Sequence, residues 1–390
     1  MRVIKIFILI SILILVAGSI PLQAGEEDVI ELFSEGIENY HLQNYDRAIS
    51  NFSDILEREE LSHEIYIDSL YYQTLAYIEL ARIKEAKDNI EVLDDEGYEF
   101  GRLYWSLAKV YLNEKGQFDS PYYNEAKRNL EKASMIGVDT AEFHSDLAKT
   151  YRELDMKEKA VKEYELAIKN SDKPSDYRNI ASLHKDLGNI DEALDYYKNA
   201  RESGAESTSI YINMGELYIE KNDIEKAVEI LKEGKEHSPN NFVLRYHLGR
   251  AFYESDKREE ARNELEEVVE LKNNFYHAYY YLGLIYSQEE DWQRAVYNFE
   301  QATKYNPNYA RAYIELGDIY LEQDNVYKAI SQYTSAIEAN EDYAKGHFHL
   351  AKAYLKRDMT ESAISELRRT IHLDSDHDEA KNLLEELTEE

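Results

Sequence analysis

Between Tyr276 and Tyr309 the chain reads YHAYYYLGLIYSQEEDWQRAVYNFEQATKYNPNY, and its apolar and small residues fall on a helical spacing. Tyr279, Leu282, Gly283 and Tyr286 stand at i, i+3, i+4 and i+7, one stripe of an amphipathic helix. A polar break ending in Asp291 and Trp292 follows, and Ala295, Phe299 and Ala302 at i, i+4 and i+7 form a second stripe. Pro307 ends it, because proline lacks an N–H and disfavours helical geometry in the residue before it. The stretch predicts two antiparallel helices of roughly 14 residues joined by a tight turn.

The pattern recurs. Repeats open at Pro174, Thr208, Phe242, Tyr276, Ala310 and Ala344, each 34 residues after the last, and Ala141 opens one of 33. Val29, Ile67 and Gly101 open three less regular ones. The eighth residue is small throughout, as at Gly36, Thr74, Ala108, Gly249, Gly283 and Gly317. An alanine recurs in the second helix of all ten, from Ala48 and Ala86 to Ala329 and Ala363. Helices cross at short distance only where neither carries a bulky side chain. A glycine inside a helix costs about 1 kcal/mol relative to alanine, so its recurrence implies a packing gain that offsets it.

A helix–turn–helix of this period resembles the tetratricopeptide repeat family. The repeat at Tyr276 matches the family signature at Leu282, Gly283, Tyr286, Ala295, Phe299, Ala302 and Pro307, and the resemblance covers about residues 29–377. It implies an all-α fold, a right-handed α-solenoid superhelix of about ten helix pairs over residues 25–377. Asp378–Glu390 (DEAKNLLEELTEE) then reads as a capping helix, with Ala380, Leu383, Leu384 and Leu387 on one side. The resemblance also implies a binding scaffold, without naming a ligand.

Two features depart from the regular period. A few extra residues near Ser62–Tyr66 separate the first two repeats, and an insertion over Glu114–Pro121, holding Phe118, lengthens the turn of the third. The insertion reads as a tolerated surface loop or as a partner-contacting one. Residues 1–24 read as an export signal: Arg2 and Lys5 open it, Ile6 to Val16 form an apolar run, and Leu22-Gln23-Ala24 offers the cleavage site. The alternative is a retained anchor over residues 3–20, which holds Lys5 and is shorter than the roughly 20 apolar residues of a membrane span. Either reading places the repeats outside the cytoplasm, in the periplasm or secreted.

Charge changes the picture of partners. Asp and Glu outnumber Lys and Arg by 78 to 45, for a net charge of −33, which repels nucleic acid and anionic lipid. With no cysteine, the chain has no disulfide, thiolate metal site or thiol nucleophile. It holds no Gly-rich phosphate loop, no G-x-S-x-G and no H-E-x-x-H, and its eleven histidines scatter, so no catalytic residue, cofactor or metal is expected. Tyrosines at one repeat position, including Tyr77, Tyr151, Tyr218, Tyr286 and Tyr320, read as core residues with the hydroxyl at the rim.

In proteins this chain resembles, the second, fifth, ninth and twelfth residues of each repeat line the concave groove. Here those positions hold ten basic residues: Arg102, Lys109, Lys149, Arg152, Arg178, Lys185, Arg250, Arg311, Lys345 and Lys352. Only Asp68, Glu142, Glu216 and Asp318 are acidic, so the groove inverts the sign of the chain. Phe33, Tyr40, Tyr71 and Trp105 flank the basic run on one side and Tyr246, Tyr253 and Tyr280 on the other. Such a strip focuses an anionic ligand, an acidic peptide segment of a partner protein, with the aromatics as anchors. The competing reading pairs these bases with acids on adjacent helices, such as Glu153 and Asp186. The Lys/Asn/Lys/Arg clamp with which some family members hold a partner's C-terminal carboxylate needs Asn at a ninth position, and none of the ten has it.

The expectation is a non-enzymatic exported scaffold that holds a partner segment in its groove, within a cell-envelope assembly, secretion or polysaccharide-export complex. The alternatives are a membrane-anchored spacer and a non-catalytic subunit of an envelope glycan enzyme complex.

Overall fold

The computed structural model describes residues 26–113 and 120–388. The expected export segment lies outside the described residues, as does the part of the insertion that holds Phe118. Among the described residues the backbone forms 21 helices and no strand. The chain divides into two compact units, one ending at Asn189 and one starting at Ile190, with the division in the turn of the repeat that opens at Pro174.

In the first unit α1 (Glu26–His41) pairs with α2 (Tyr45–Leu56), α3 (His63–Glu79) with α4 (Ile83–Asp95), α5 (Gly101–Asn113) with α6 (Ser120–Met135), and α7 (Ala141–Glu153) with α8 (Lys157–Asn170). Helix α9 (Pro174–Asp186) follows and packs on α8. The second unit opens with α10 (Ile190–Glu202). Its pairs are α11 (Thr208–Glu220) with α12 (Ile224–His237), α13 (Phe242–Glu254) with α14 (Arg258–Leu271), α15 (Tyr276–Gln288) with α16 (Trp292–Tyr305), α17 (Ala310–Glu322) with α18 (Val326–Ala339), and α19 (Ala344–Leu355) with α20 (Thr360–Leu373). Helix α21 (Asp378–Thr388) packs on α20: Ala380 is fully buried, and Leu383, Leu384 and Leu387 lie against Phe348, Ala351, Ala363 and Leu367.

The small positions are where helices meet. All ten second-helix alanines, from Ala48 to Ala363, have no exposed surface. A Cβ at Gly249 would sit 2.8 Å from Leu265 Cγ on the paired helix, closer than packed carbons approach. The extra residues after Ser62 do not form a spacer. They add a turn to the start of α3, whose Ser62 hydroxyl accepts from the Ile65 N–H at 3.3 Å as an N-cap.

Among the described residues, the turns inside the repeats other than the third follow one geometry. A single residue takes positive φ at the fifteenth position, as at Gln43, Ala81, Asp155, Asn222, Asp256, Glu290, Asp324 and Asp358. The next N–H then returns to a carbonyl five residues back, as from Asp223 to Tyr218 at 2.8 Å and from Asp291 to Tyr286 at 2.9 Å. Asp223, Asp291 and Asn325 start the second helix by accepting from the N–H three residues on. Among the described residues no helix is long and apolar enough to cross a membrane.

Candidate functional site

The first helices of the repeats carry the candidate residues, and each compact unit holds its own set. In the first unit, α3, α5 and the start of α7 border a cleft of about 620 Å³ lined by Ile78, Arg102, Trp105, Lys109, Val110 and Glu142, among others. The Trp105 indole N–H donates to Asp146 Oδ2 at 3.0 Å, so the ring is fixed by a buried carboxylate of the next repeat. Lys109 Nζ stands 4.2 Å from the Trp105 ring centroid and 2.6 Å from Glu142 Oε1. That hydrogen bond holds the Glu142 carboxyl below the usual glutamate range. Lys149 lies 3.3 Å from Asp146 Oδ1. Arg152 pairs with Glu153 at 3.0 Å and donates to Asn179 Oδ1 at 3.3 Å. With Lys352, 3.6 Å from Glu379 Oε1, four of the expected groove cations are paired within the chain, in part-exposed contacts worth at most about 1 kcal/mol each.

The others differ. Arg102 is exposed, lies beside the Tyr71 hydroxyl and makes no ion pair among the described residues. Arg178, half-buried on α9, likewise makes none. Lys185 is half-buried at the far end of the same helix.

In the second unit Tyr246, Arg250 and Tyr253 come from α13, Tyr280 from α15 and Arg311 from α17. Tyr280 is more enclosed than a groove-lining role suggests: it is 8% exposed, and its hydroxyl donates to Glu315 Oε1 at 3.3 Å. Tyr253 accepts from Gln288 at 3.0 Å. Neither Arg250 nor Arg311 makes an ion pair among the described residues, and Arg250 Nε is buried without a hydrogen-bond partner. An unsatisfied buried donor costs about 1–3 kcal/mol.

Sequence reasoning missed several members of this set. His277 lies between the two arginines, and burial, Arg311 and Arg250 together hold its imidazole below the ordinary histidine value. Tyr281 packs on Tyr246 and Tyr253 at 6.0 and 5.4 Å between ring centroids. Tyr309 and Tyr343 stand beside Arg311. The usable signal was an aromatic residue closing three successive repeats, Phe275, Tyr309 and Tyr343. Farther along α17, burial and then Asp318 raise the Glu315 carboxyl to about 7. Asp318 accepts from the Tyr333 hydroxyl at 2.6 Å and lies 2.9 Å from His349 Nδ1.

Other polar groups serve the scaffold. The fourth residue of a first helix meets the twenty-third of the same repeat as His144–Glu163 at 2.7 Å, Arg245–Glu264 at 2.6 Å and His347–Glu366 at 2.6 Å. Second-helix cations cover the recurrent tyrosines, with Arg294 4.4 Å from the Tyr286 ring and Lys328 4.8 Å from Tyr320. Among the described residues no cluster of His, Asp and Glu is placed to hold a metal ion.

Four family models match, all of tetratricopeptide repeats: one over residues 185–241, a second over 283–324, a third over 141–173 and 310–343, and a fourth over 246–297. No curated protein matches the chain. Among solved structures it is similar to a tetratricopeptide repeat protein from Parabacteroides merdae, at 16% identity and a TM-score of 0.53, covering 64% of this chain and 99% of the other. The C-terminal part of a repeat protein from Cytophaga hutchinsonii matches at 17% identity and a TM-score of 0.51, over 63% of this chain and 99% of the other. A chain of the APC/C hetero-tetramer Cut9–Hcn1 matches at 14% identity and a TM-score of 0.50, over 98% and 81%. At these identities the likeness is one of fold. Family models thus show tetratricopeptide repeats within residues 141–343, and the same helix pair recurs on both sides of them.

Proposed function

We propose that this chain is an exported, non-enzymatic scaffold that holds an extended acidic segment of a partner protein along the faces of its first helices, within a cell-envelope assembly, secretion or export complex. One observation carries the reading. In a chain where acids outnumber bases by 78 to 45, Arg102, Arg178, Arg250 and Arg311 all lie on first helices and make no ion pair among the described residues. Arginines held clear of internal acids are available to an external one. Trp105, fixed by Asp146 beside Arg102 in the cleft, supplies an aromatic anchor of the kind that dominates interface energy. Within each compact unit successive first helices present such faces in series, which suits an extended ligand. Export rests on Arg2, Lys5 and the apolar run from Ile6 to Val16.

The test is a crosslinked capture from envelope extract, with the chain as bait beside an Arg102→Glu, Trp105→Ala variant of unchanged helical content. One protein captured by the parent chain and lost in the variant supports the reading. The same captured set with both baits overturns it. N-terminal sequencing of the purified envelope protein checks export: a chain starting near Gly25 supports it, and a cytoplasmic chain starting at Met1 contradicts it.

A further inference from the structure

Arg250, His277 and Arg311 come from three successive first helices and share one aromatic floor. The His277 ring lies 5.7 Å from Tyr246, 4.0 Å from Tyr276 and 5.6 Å from Tyr309 between centroids. Arg250 lies beside the Tyr281 hydroxyl and Arg311 beside those of Tyr309 and Tyr343. Neither guanidinium has a carboxylate partner among the described residues, and Arg250 Nε is shut away from solvent with no acceptor. The neighbouring acids stand at the margins: Glu315 is engaged by the Tyr280 hydroxyl, and Glu254 lies beside Tyr253 and Tyr281. Half-buried Arg250 and exposed Arg311 have no carboxylate partner of their own and can take an anion between them, and each planar fork matches a carboxylate.

We infer that the Arg250–His277–Arg311 cluster binds a side-chain carboxylate, an aspartate or glutamate within the partner segment. The inference rests on the partner-segment reading above and gives the chemistry of one contact. An internal residue fits rather than a chain terminus, because α11 packs on α13 and α19 on α17, so the row of first helices continues on both sides of the cluster. A single negative charge fits better than a dianion, because Glu254 and Glu315 border the arginines. The neutral imidazole offers one donor and one acceptor, and the tyrosine rings offer rigid contact area to the residues flanking the acid.

The experiment is fluorescence anisotropy on the full chain at low salt with three rhodamine-labelled twelve-residue peptides. The first has an amidated C-terminus and two central glutamates, the second has glutamines in their place, and the third is acid-free with a free C-terminal carboxylate. The expected result is binding of the glutamate peptide at least tenfold tighter than of either other peptide. That preference disappears in Arg250→Gln and Arg311→Gln and is partly retained in Arg250→Lys, which keeps the charge without the fork. Unchanged preference in both glutamine variants overturns the inference, as does equal binding of the free-terminus peptide or no binding at all. Loss only in the Arg102→Glu, Trp105→Ala variant sinks this site while leaving the partner-segment reading intact. Loss only at Arg250 and Arg311 supports this site and removes the first-unit cleft from that reading.

Discussion

Gly283 on α15 faces the Phe299 ring on α16 so closely that a Cβ there would lie 2.6 Å from Phe299 Cε1. Phe299 has no exposed surface, so the ring has nowhere to retreat. Alanine at 283 would gain about 1 kcal/mol in helix propensity but overpack the site by about 1–3 kcal/mol or more. Gly283→Ala is therefore expected to lower stability by up to about 2 kcal/mol in denaturant melts. An increase in stability would show that the recurrent small residue is not set by helix contact.

The turn at Glu290 gives the opposite sign. Glu290 has φ of 59°, a region that costs an L residue about 1–2 kcal/mol and glycine little. Glu290→Gly is expected to raise the denaturation midpoint by an amount worth about 0.5–1 kcal/mol, with no change in the denaturant slope. A lower midpoint would contradict the strain argument.

These two positions show what the sequence made legible. The Gly283 contact could be read because close approach admits only small side chains, and the same residue types return at the eighth and twentieth positions. The turn could be read only in part: its positive-φ position holds Asp155, Gly188, Asn222, Asp256, Asp324 and Asp358, types that tolerate that region, but also Gln43, Ala81 and Glu290, which carry no such signal. The candidate site was legible as a set of positions but not as a set of free charges. Lys109 meets Glu142 across 33 residues and Lys149 meets Asp146 across three, and only the register between helices decides which base finds an acid. His277 stands at a second, groove-lining position but escaped notice because histidine is neither a fixed charge nor counted as an aromatic anchor, and Tyr281 because it stands outside those positions.

Stability is expected to depend on Glu315. Burial and Asp318 raise its carboxyl from 4.5 to about 7, so between those values the unfolded chain has lost the proton that the folded chain keeps. The unfolded state then binds fewer protons, and stability falls as pH rises through that window. Asp68, raised to about 6 by burial and Glu64, acts in the same direction. His277, held low by burial and by the two arginines, acts in the opposite direction as pH falls through 6.5. Glu315→Gln isolates the carboxyl: calorimetric melts at constant ionic strength should show a smaller loss of Tm between pH 5 and pH 8 than the parent chain shows. An identical slope would mean that Glu315 titrates normally in the folded protein.

Site-specific photocrosslinking in intact cells tests whether the first-helix faces are where a partner lies. A photoreactive phenylalanine is placed at Trp105 or Tyr253 on first helices, and as controls at Tyr297 on α16 and Tyr327 on α18, whose side chains are 57% and 71% exposed. One shared crosslinked protein is expected from Trp105 and Tyr253, weakened when salt is raised, and none from Tyr297 or Tyr327. Crosslinks from the second-helix positions alone would place the partner on the opposite surface and contradict the account.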